Sequence, residues 1–187
     1  MMEKNKVRDV MVPVADFPRI SDEATFSEAV QALEKNFDAY MSGQAKQRIT
    51  LVHDARNRIV GKLTPVDVVR GLEPGYGKMP VDTSYSSFAA TYQYVMEKAQ
   101  EQTMLWSKPL DDLCKTAQDV KVKDFLRNPT EAHLVKADDS LNEALHRFVL
   151  GRHDSLFVTD NGHLVGLVRF SDVYREIQQH IKNVCKI

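Results

Sequence analysis

The chain contains the same pattern of residues twice, and this internal repeat limits the possible fold more than any other feature of the sequence. The first copy covers residues 7–70 and the second covers residues 122–175. Thr25 and Ser140, which begin equivalent segments, lie 115 positions apart in a chain of 187 residues. Features that recur in the same order predict two similar structural units.

Each copy predicts a helix that begins at a hydroxyl residue. Thr25 and Ser140 are suitable N-caps, because a side-chain oxygen there accepts a hydrogen bond from a free amide of the first turn. Glu28 and Glu143, three residues later, complete the capping-box pattern. The apolar residues that follow at helical spacing are Phe26, Ala29, Val30, Leu33 and Phe37 in the first copy, and Leu141, Ala144, Leu145 and Phe148 in the second.

A β-hairpin and a second helix follow in each copy. The β-rich segments cover residues 49–53, 58–63, 155–159 and 163–168. Asn57 and the pair Asn161-Gly162 lie between them and are typical hairpin turn residues. The second helix is predicted to begin at Pro65 in the first copy and at Phe170 in the second.

These elements predict an α/β fold made of two pseudo-symmetric β-α-β-β-α repeats, each with a short leading helix. Neither repeat alone covers both faces of its sheet, so we expect the two to pack together. The first repeat is predicted over residues 1–71, a helical insertion over 72–121, and the second repeat over 122–187.

The insertion is predicted to begin as a loop rich in proline and glycine and to continue as an amphipathic helix. Ser84 or Ser86 begins this helix and Pro109 ends it. Its apolar side would consist of Phe88, Tyr92, Val95, Ala99 and Trp106. A further short helical turn is predicted at Leu110, Leu113 and Cys114. The apolar side either packs against the repeats or a second copy of the chain, or it binds a partner protein or gates a ligand.

The two predicted hairpins end in similar sequences. Residues 59–67 read IVGKLTPVD and residues 164–172 read LVGLVRFSD. Together with the Val-basic-Asp segments at 7–9 and 122–124, these motifs resemble the CBS-domain family, named after cystathionine β-synthase. A tandem pair of such motifs in the same order is far more specific than one motif alone. The resemblance implies a CBS pair that forms a flat homodimer.

The resemblance also implies a ligand. CBS pairs typically bind an adenosine-containing molecule in clefts between their repeats, here AMP, ADP, ATP or S-adenosylmethionine. The binding residues implied for this chain are Gly61, Thr64, Asp67, Gly166, Arg169, Ser171 and Asp172. The two aspartates would accept hydrogen bonds from the ribose hydroxyls. Thr64 and Ser171 would contact ribose or phosphate, because a strand-to-helix junction presents free helix amides that attract phosphate.

The two clefts are not equivalent in sequence. Val66 stands where the first repeat would carry a second hydroxyl, and Arg169 stands where the second repeat would carry its first. Arg169 either binds a phosphate through its planar guanidinium group or blocks the cleft. An aspartate in a first helical turn is also a favourable capping residue, and the glycines also fit simple strand bends.

Other chemistry is not indicated. The sequence contains no phosphate-binding glycine loop, nucleophile elbow or zinc-type histidine spacing, so we expect no enzyme activity, no metal and no catalytic cofactor. Cys114 and Cys185 form neither a disulfide framework nor a zinc pattern. The net charge of -1 argues against nucleic-acid binding. No apolar run approaches the roughly 18 residues of a membrane span, and we expect a cytoplasmic protein without a signal peptide.

The predicted function is that of a ligand sensor. Ligand binding between the repeats would shift their packing and change the activity of a protein partner in trans, because no effector domain is expected in the chain. The alternative is a ligand-free dimerisation or interaction module that uses the central helices. That alternative gains support if Val66 and Arg169 close the clefts.

Overall fold

Two sheets, each built around a hairpin, form the frame of the molecule. The computed structural model describes residues 5–73, 76 and 108–185. One sheet has the order β2-β3-β4, with β2 parallel to β3 and β3 antiparallel to β4. Its strands are β2 (Arg19–Ser21), β3 (Thr50–His53) and β4 (Ile59–Leu63).

The second sheet repeats this arrangement and adds one strand. β5 runs parallel to β6, and β6 pairs with β7 in antiparallel fashion. β1 then joins the free edge of β7, which gives the order β1-β7-β6-β5. The strands are β1 (Val12–Pro13), β5 (Leu134–Lys136), β6 (Ser155–Asp160) and β7 (His163–Arg169). The predicted pair of β-α-β-β-α repeats is confirmed.

The helices lie where the sequence placed them. They are α1 (Phe26–Met41), α2 (Pro65–Leu72), α3 (Leu110–Ala117), α4 (Val122–Phe125), α5 (Leu141–Gly151) and α6 (Phe170–Cys185), with short 3-10 turns at Val7–Asp9, Val14–Asp16 and Glu131–His133. α3 confirms the short helical turn predicted around Leu113. The predicted helix with Phe88, Tyr92, Val95, Ala99 and Trp106 lies outside the described residues. Within them, no helix is both long and apolar enough to cross a membrane.

The predicted capping box is complete in the first repeat, whereas in the second repeat only the hydroxyl cap is confirmed. Thr25 Oγ1 accepts a hydrogen bond from the Glu28 amide at 3.2 Å, and the Glu28 carboxylate accepts one from the Thr25 amide at 2.7 Å. Ser140 likewise caps α5 by accepting from the amide of Glu143. The prediction that the Glu143 side chain completes a box is wrong, because its carboxylate accepts a hydrogen bond from Arg147 Nε at 3.0 Å instead.

Both hairpin turns use the residues that the sequence indicated. Asn57 has φ of 60°, and Asn161 and Gly162 have φ of 49° and 79°. Asp160 pairs with His163 across the second turn, so its loop contains two residues, both in the left-handed region. This is the backbone that suits tight hairpins, because its twist matches that of the flanking strands.

The side of α1 that the apolar spacing predicts to face the core is only partly buried. Ala29 is fully buried and Leu33 packs against the first-repeat core, but Val30 is 39% exposed and Phe37 is 56% exposed. The polar Asn36 is buried, because α1 turns this side towards the sheet and the Asn36 amide donates to the Thr50 hydroxyl. The sheet, and not the apolar spacing alone, decides which side of α1 faces inward.

The segments that open the two repeats are exchanged between the repeats. Val7 is fully buried in the core of the second repeat, and its amide donates to the carbonyl of Asp139 at 2.9 Å. Val122 is fully buried in the core of the first repeat, and its amide donates to the carbonyl of Ala24 at 2.9 Å. Each repeat therefore completes its core with the first turn of the other.

A third apolar cluster lies between the two sheets. Strand residues alternate between faces, so each sheet has one face for its own helices and one for the other sheet. In β3, Val52 belongs to the first-repeat core and its neighbour Leu51 to the cluster between the sheets. The buried members of that cluster are Phe17, Leu51, Phe157 and Leu167. The predicted packing of the two repeats is thus made by the inner sheet faces and by the exchanged segments.

A charged contact reinforces the exchange. Glu23, directly before α1, accepts hydrogen bonds from Lys121 Nζ at 2.7 Å and from Lys123 Nζ at 2.6 Å. The hydrogen bond from Lys121, followed by that from Lys123, lowers the pKa of Glu23 from 4.5 to about 2. Glu23 thus connects the first repeat to the opening segment of the second.

We expect Glu23→Gln to reduce stability at neutral pH and to lose this effect in acid. In the unfolded chain Glu23 takes up its proton near pH 4.5, whereas the folded chain resists protonation down to about pH 2. The contribution is therefore present above pH 4.5 and is lost as the pH falls towards 2. Because the ion pairs are exposed, the contribution is small and weakens in salt.

Urea unfolding of the wild type and Glu23→Gln at pH 7 and pH 3, in low salt, measures the change. The difference in unfolding free energy between the two proteins should shrink at pH 3. Glu34→Gln, at an exposed position of α1, is the matched control and should show a difference that does not depend on pH. An equal difference for Glu23→Gln at both pH values would contradict the prediction.

Candidate functional site

The end of β7 and the start of α6 form one wall of a cleft between the two repeats, called here the second cleft. Residues 152–155 and 169–171 of the second repeat line it, and the first repeat contributes Tyr40, Arg48 and Ile49. Its volume is about 480 Å³. Arg169 and Ser171, both predicted site residues, are thereby placed in one cavity.

Arg169 holds Asp172 with both arms of its guanidinium group. Its Nε donates to Asp172 Oδ2 at 2.6 Å, and its Nη2 donates to Oδ1 at 2.9 Å. Such a two-point contact between planar groups is among the strongest side-chain interactions. The third arm, Nη1, donates to Gln47 Oε1 of the first repeat at 2.8 Å. Arg169 therefore occupies the predicted ribose acceptor and also links the two repeats.

Two arginines of the second cleft, Arg48 and Arg152, were not among the predicted site residues. Arg48 lies just before β3, and Arg152 lies between α5 and β6 in the left-handed backbone region, with φ of 50°. Within residues 5–73, 76 and 108–185, neither guanidinium group has a hydrogen-bond or ion-pair partner. A signal was present in the sequence, since both arginines precede the first hairpin strand of their repeats. That they face the same cavity depends on the packing of the repeats.

The acidic group of the cleft is already paired. Lys62 of β4 donates to Asp154 Oδ1 at 2.9 Å and to Ser155 Oγ at 2.6 Å. Burial raises the pKa of the Asp154 carboxyl group, but the contacts with Lys62 and the hydrogen bond from Ser155 together lower it below its usual value. With Asp154 and Asp172 both paired to basic groups, the described part of the chain provides no acidic partner for Arg48 and Arg152 in the cleft.

The equivalent aspartate of the first repeat has a different environment. Asp67 is buried, and its Oδ2 accepts a hydrogen bond from the Thr64 amide at 2.9 Å as well as one from the Thr64 hydroxyl. Its Oδ1 accepts a hydrogen bond from Arg70 Nη1 at 2.7 Å. Asp67 and Thr64 thus form the cap of α2, which was the alternative role for this aspartate. Their role in ligand binding stays a prediction.

Both predicted site glycines lie against the exchanged segments. A Cβ atom at Gly166 would lie 2.5 Å from the Val12 carbonyl oxygen of β1. A Cβ atom at Gly61 would lie 3.1 Å from Cδ2 of Leu126, just after α4. Each glycine therefore leaves room for the opening segment of the other repeat. Their contact with a ligand stays a prediction.

The family model for the CBS domain matches residues 122–179, which lie within the predicted second repeat. A CBS domain-containing protein of unknown function from Kribbella flavida has a similar solved structure, with a TM-score of 0.54 and 19% identity, covering 93% of this chain and 98% of that one. No curated protein sequence matches the chain.

Two further solved structures carry nucleotides. CBSX2 in complex with AMP has a TM-score of 0.55 and 15% identity, covering 94% of this chain and 97% of that one. The CBS domain of a bacterial CNNM/CorC family Mg²⁺ transporter in complex with ATP has a TM-score of 0.57 and 17% identity, covering 95% and 89%. At these identities the likeness shows the fold. The second repeat is a CBS domain, and the chain has the fold of CBS-domain structures.

The different neighbours of the two glycines predict different tolerance to alanine. Gly166→Ala should lower the unfolding free energy by about 1–3 kcal/mol, because a backbone carbonyl of β1 would have to move. Gly61→Ala should cost less, because the Leu126 side chain can shift by a few tenths of an ångström. Urea unfolding of both variants measures the contrast. Equal losses of stability would contradict the assigned contacts.

Proposed function

We propose that the chain is a regulatory module that binds an adenosine-containing ligand, AMP, ADP, ATP or S-adenosylmethionine, in the second cleft and acts on a protein partner in trans. The observation that carries the proposal is the cleft itself. It brings Arg48, Arg152 and Arg169 together beside Ser171, at the start of a helix whose first turn carries Asp172.

Each part of a nucleotide finds a suitable group in this cleft. Guanidinium groups bind phosphate oxygens through charge-assisted hydrogen bonds. Asp172, next to the cleft in the first turn of α6, would accept hydrogen bonds from the ribose hydroxyls once its ion pair with Arg169 opens, and Ser171 supplies a hydroxyl in the cleft. Tyr40 and Phe170 line the same cavity and offer aromatic faces for the base. The AMP and ATP complexes of the structural neighbours support this class of ligand.

We place the ligand in the second cleft in preference to the first. Both oxygens of Asp67 are used by Thr64 and Arg70, and Thr64 itself caps α2. Removing these contacts would uncap the helix and leave Arg70 without its acid. In the second repeat the equivalent aspartate has Arg169 as its hydrogen-bond partner, and α6 does not depend on it for a capping box.

The location of the cleft provides a route for regulation. Its walls belong to both repeats, so a ligand with different affinity for two arrangements of the repeats would shift the balance between them. We also propose a homodimer. Exposed apolar side chains on α1, including Phe37 and Met41 at 56% and 67% exposure, support contact with a second copy.

One observation favours the second candidate, a ligand-free interaction module. Arg169 occupies both oxygens of Asp172, so the cleft as it stands does not present a free ribose acceptor. Isothermal titration with nucleotides separates the two candidates. Absence of binding by AMP, ADP, ATP and S-adenosylmethionine would favour the interaction module.

Reversing the charge of the second cleft should abolish most of the affinity for ATP. We expect Arg48→Glu to weaken ATP binding by about tenfold or more, because it replaces a charge-assisted hydrogen bond by repulsion. The matched control is Arg56→Glu, which changes the net charge equally at an exposed position of the first hairpin and should leave ATP affinity unchanged. Equal weakening by both variants would show a general charge effect and contradict the site.

A further inference from the structure

We propose that Arg169 makes the second cleft selective for nucleotides that carry a phosphate, because it must exchange its contact with Asp172 for one with the ligand, and that this exchange releases a link between the repeats. The inference rests on the proposed function and specifies the ligand class and regulation of the same site.

The starting point is the full use of the Arg169 side chain. Two of its arms donate to the Asp172 carboxylate and the third donates to Gln47. The three groups are largely enclosed: the side chains of Arg169 and Asp172 are 27% and 10% exposed, and Gln47 is 6% exposed. The ion pair is therefore sheltered from much of the solvent that weakens surface pairs.

A ribose would compete with Arg169 for the same acceptor. A vicinal diol that donates to both oxygens of a carboxylate uses two parallel hydrogen bonds, as the guanidinium group does. Asp172 can receive the diol in this way only when Arg169 has moved. The ligand must therefore displace a two-point ion pair before its sugar is held.

The free-energy cost of breaking the ion pair depends on the group that Arg169 contacts after it leaves Asp172. A guanidinium group that leaves its carboxylate in a partly buried site carries an uncompensated charge, which is strongly unfavourable. A phosphate offers oxygens that match the same planar fork. A ligand with both ribose and phosphate thus gives Asp172 and Arg169 new hydrogen-bond partners at the same time.

Ligands without phosphate lack this compensation. Adenosine can satisfy Asp172 but leaves Arg169 without an anion. S-adenosylmethionine has a carboxylate, but its ammonium and sulfonium groups give it a net positive charge, which is unfavourable in a cleft where Arg48 and Arg152 have no acidic partner among the described residues. The cleft should therefore favour AMP, ADP and ATP over adenosine and S-adenosylmethionine.

The exchange also alters the contact between the repeats. Gln47 belongs to the first repeat, and its hydrogen bond with Arg169 joins the two repeats next to the cleft. Movement of Arg169 towards a phosphate breaks that hydrogen bond, while the nearby contacts of Lys62 with Asp154 and Ser155 are not involved in the exchange. Phosphate recognition is in this way coupled to the loss of one of the links between the repeats.

The test is isothermal titration of the full chain with AMP and with adenosine, read as the ratio of the two dissociation constants. In the wild type we expect AMP to bind about 10- to 100-fold more tightly than adenosine, by the strength of a charge-assisted contact. In Arg169→Leu the ratio should fall at least tenfold, and adenosine itself should bind more tightly because Asp172 is free. Circular dichroism checks that the variant is folded.

Two further variants separate this role from a merely structural one. Gln47→Leu removes only the link between the repeats, so it should tighten AMP and adenosine by similar factors and leave their ratio unchanged. Arg147→Leu removes an arginine that pairs with Glu143 on α5 and should change neither affinity. If Arg169→Leu does not fold, Arg169→Met provides the same reading, because it keeps a long unbranched side chain and removes the charge.

The outcomes distinguish the two levels of the proposal. Equal affinity of the wild type for AMP and adenosine, or an unchanged ratio in the Arg169 variant, overturns the exchange while the proposed function stands. Absence of binding by AMP, ADP, ATP and S-adenosylmethionine in the wild type and in every variant overturns the proposed function, and the exchange with it.

Discussion

The arrangement of this molecule depends on the exchange of the opening segments between the repeats. Val7 completes the second core and Val122 completes the first, so neither repeat has a full core without the other. The exchange depends on Gly166 and Gly61, because each lacks a side chain and so leaves room for the segment that comes from the other repeat. The second cleft exists because this packing brings the strand-to-helix junction of the second repeat against residues of the first.

Within this near-symmetric frame, one position makes the two junctions chemically different. Thr64 and Arg169 are equivalent in the repeats, and each interacts with the aspartate three residues later. A short hydroxyl side chain keeps Asp67 within a local cap. A long guanidinium side chain instead withdraws Asp172 into an ion pair and reaches Gln47 in the other repeat. The side-chain length at this single position separates a junction whose aspartate is held in a local cap from one whose aspartate is held by an arginine that also contacts the other repeat.

Much of the fold followed from local chemistry. The hairpin turns at Asn57 and Asn161-Gly162, and the cap at Thr25, were predictable because each depends on neighbours within a few residues. The errors share one cause: an interaction competed with the local pattern. The Glu143 carboxylate accepts a hydrogen bond from Arg147 and does not complete the capping box. The packing of α1 against the sheet buries Asn36 and leaves Phe37 exposed. The domain boundaries and the roles of the seven predicted site residues stay predictions.

The sequence by itself determined the repeat, which is visible when the two copies are compared directly. It also determined the order of the elements and the Asp in the first turn of each second helix, because these depend on spacings of two to four residues. Only the tertiary structure decided that the opening segments are exchanged, that Arg48 and Arg152 share a cavity with Arg169, and that Arg169 reaches Gln47. Several of these contacts join residues more than 100 positions apart, such as Val7 with Asp139 and Arg169 with Gln47. They arise where two sheets bury their inner faces together, and no local spacing encodes which side chains then meet.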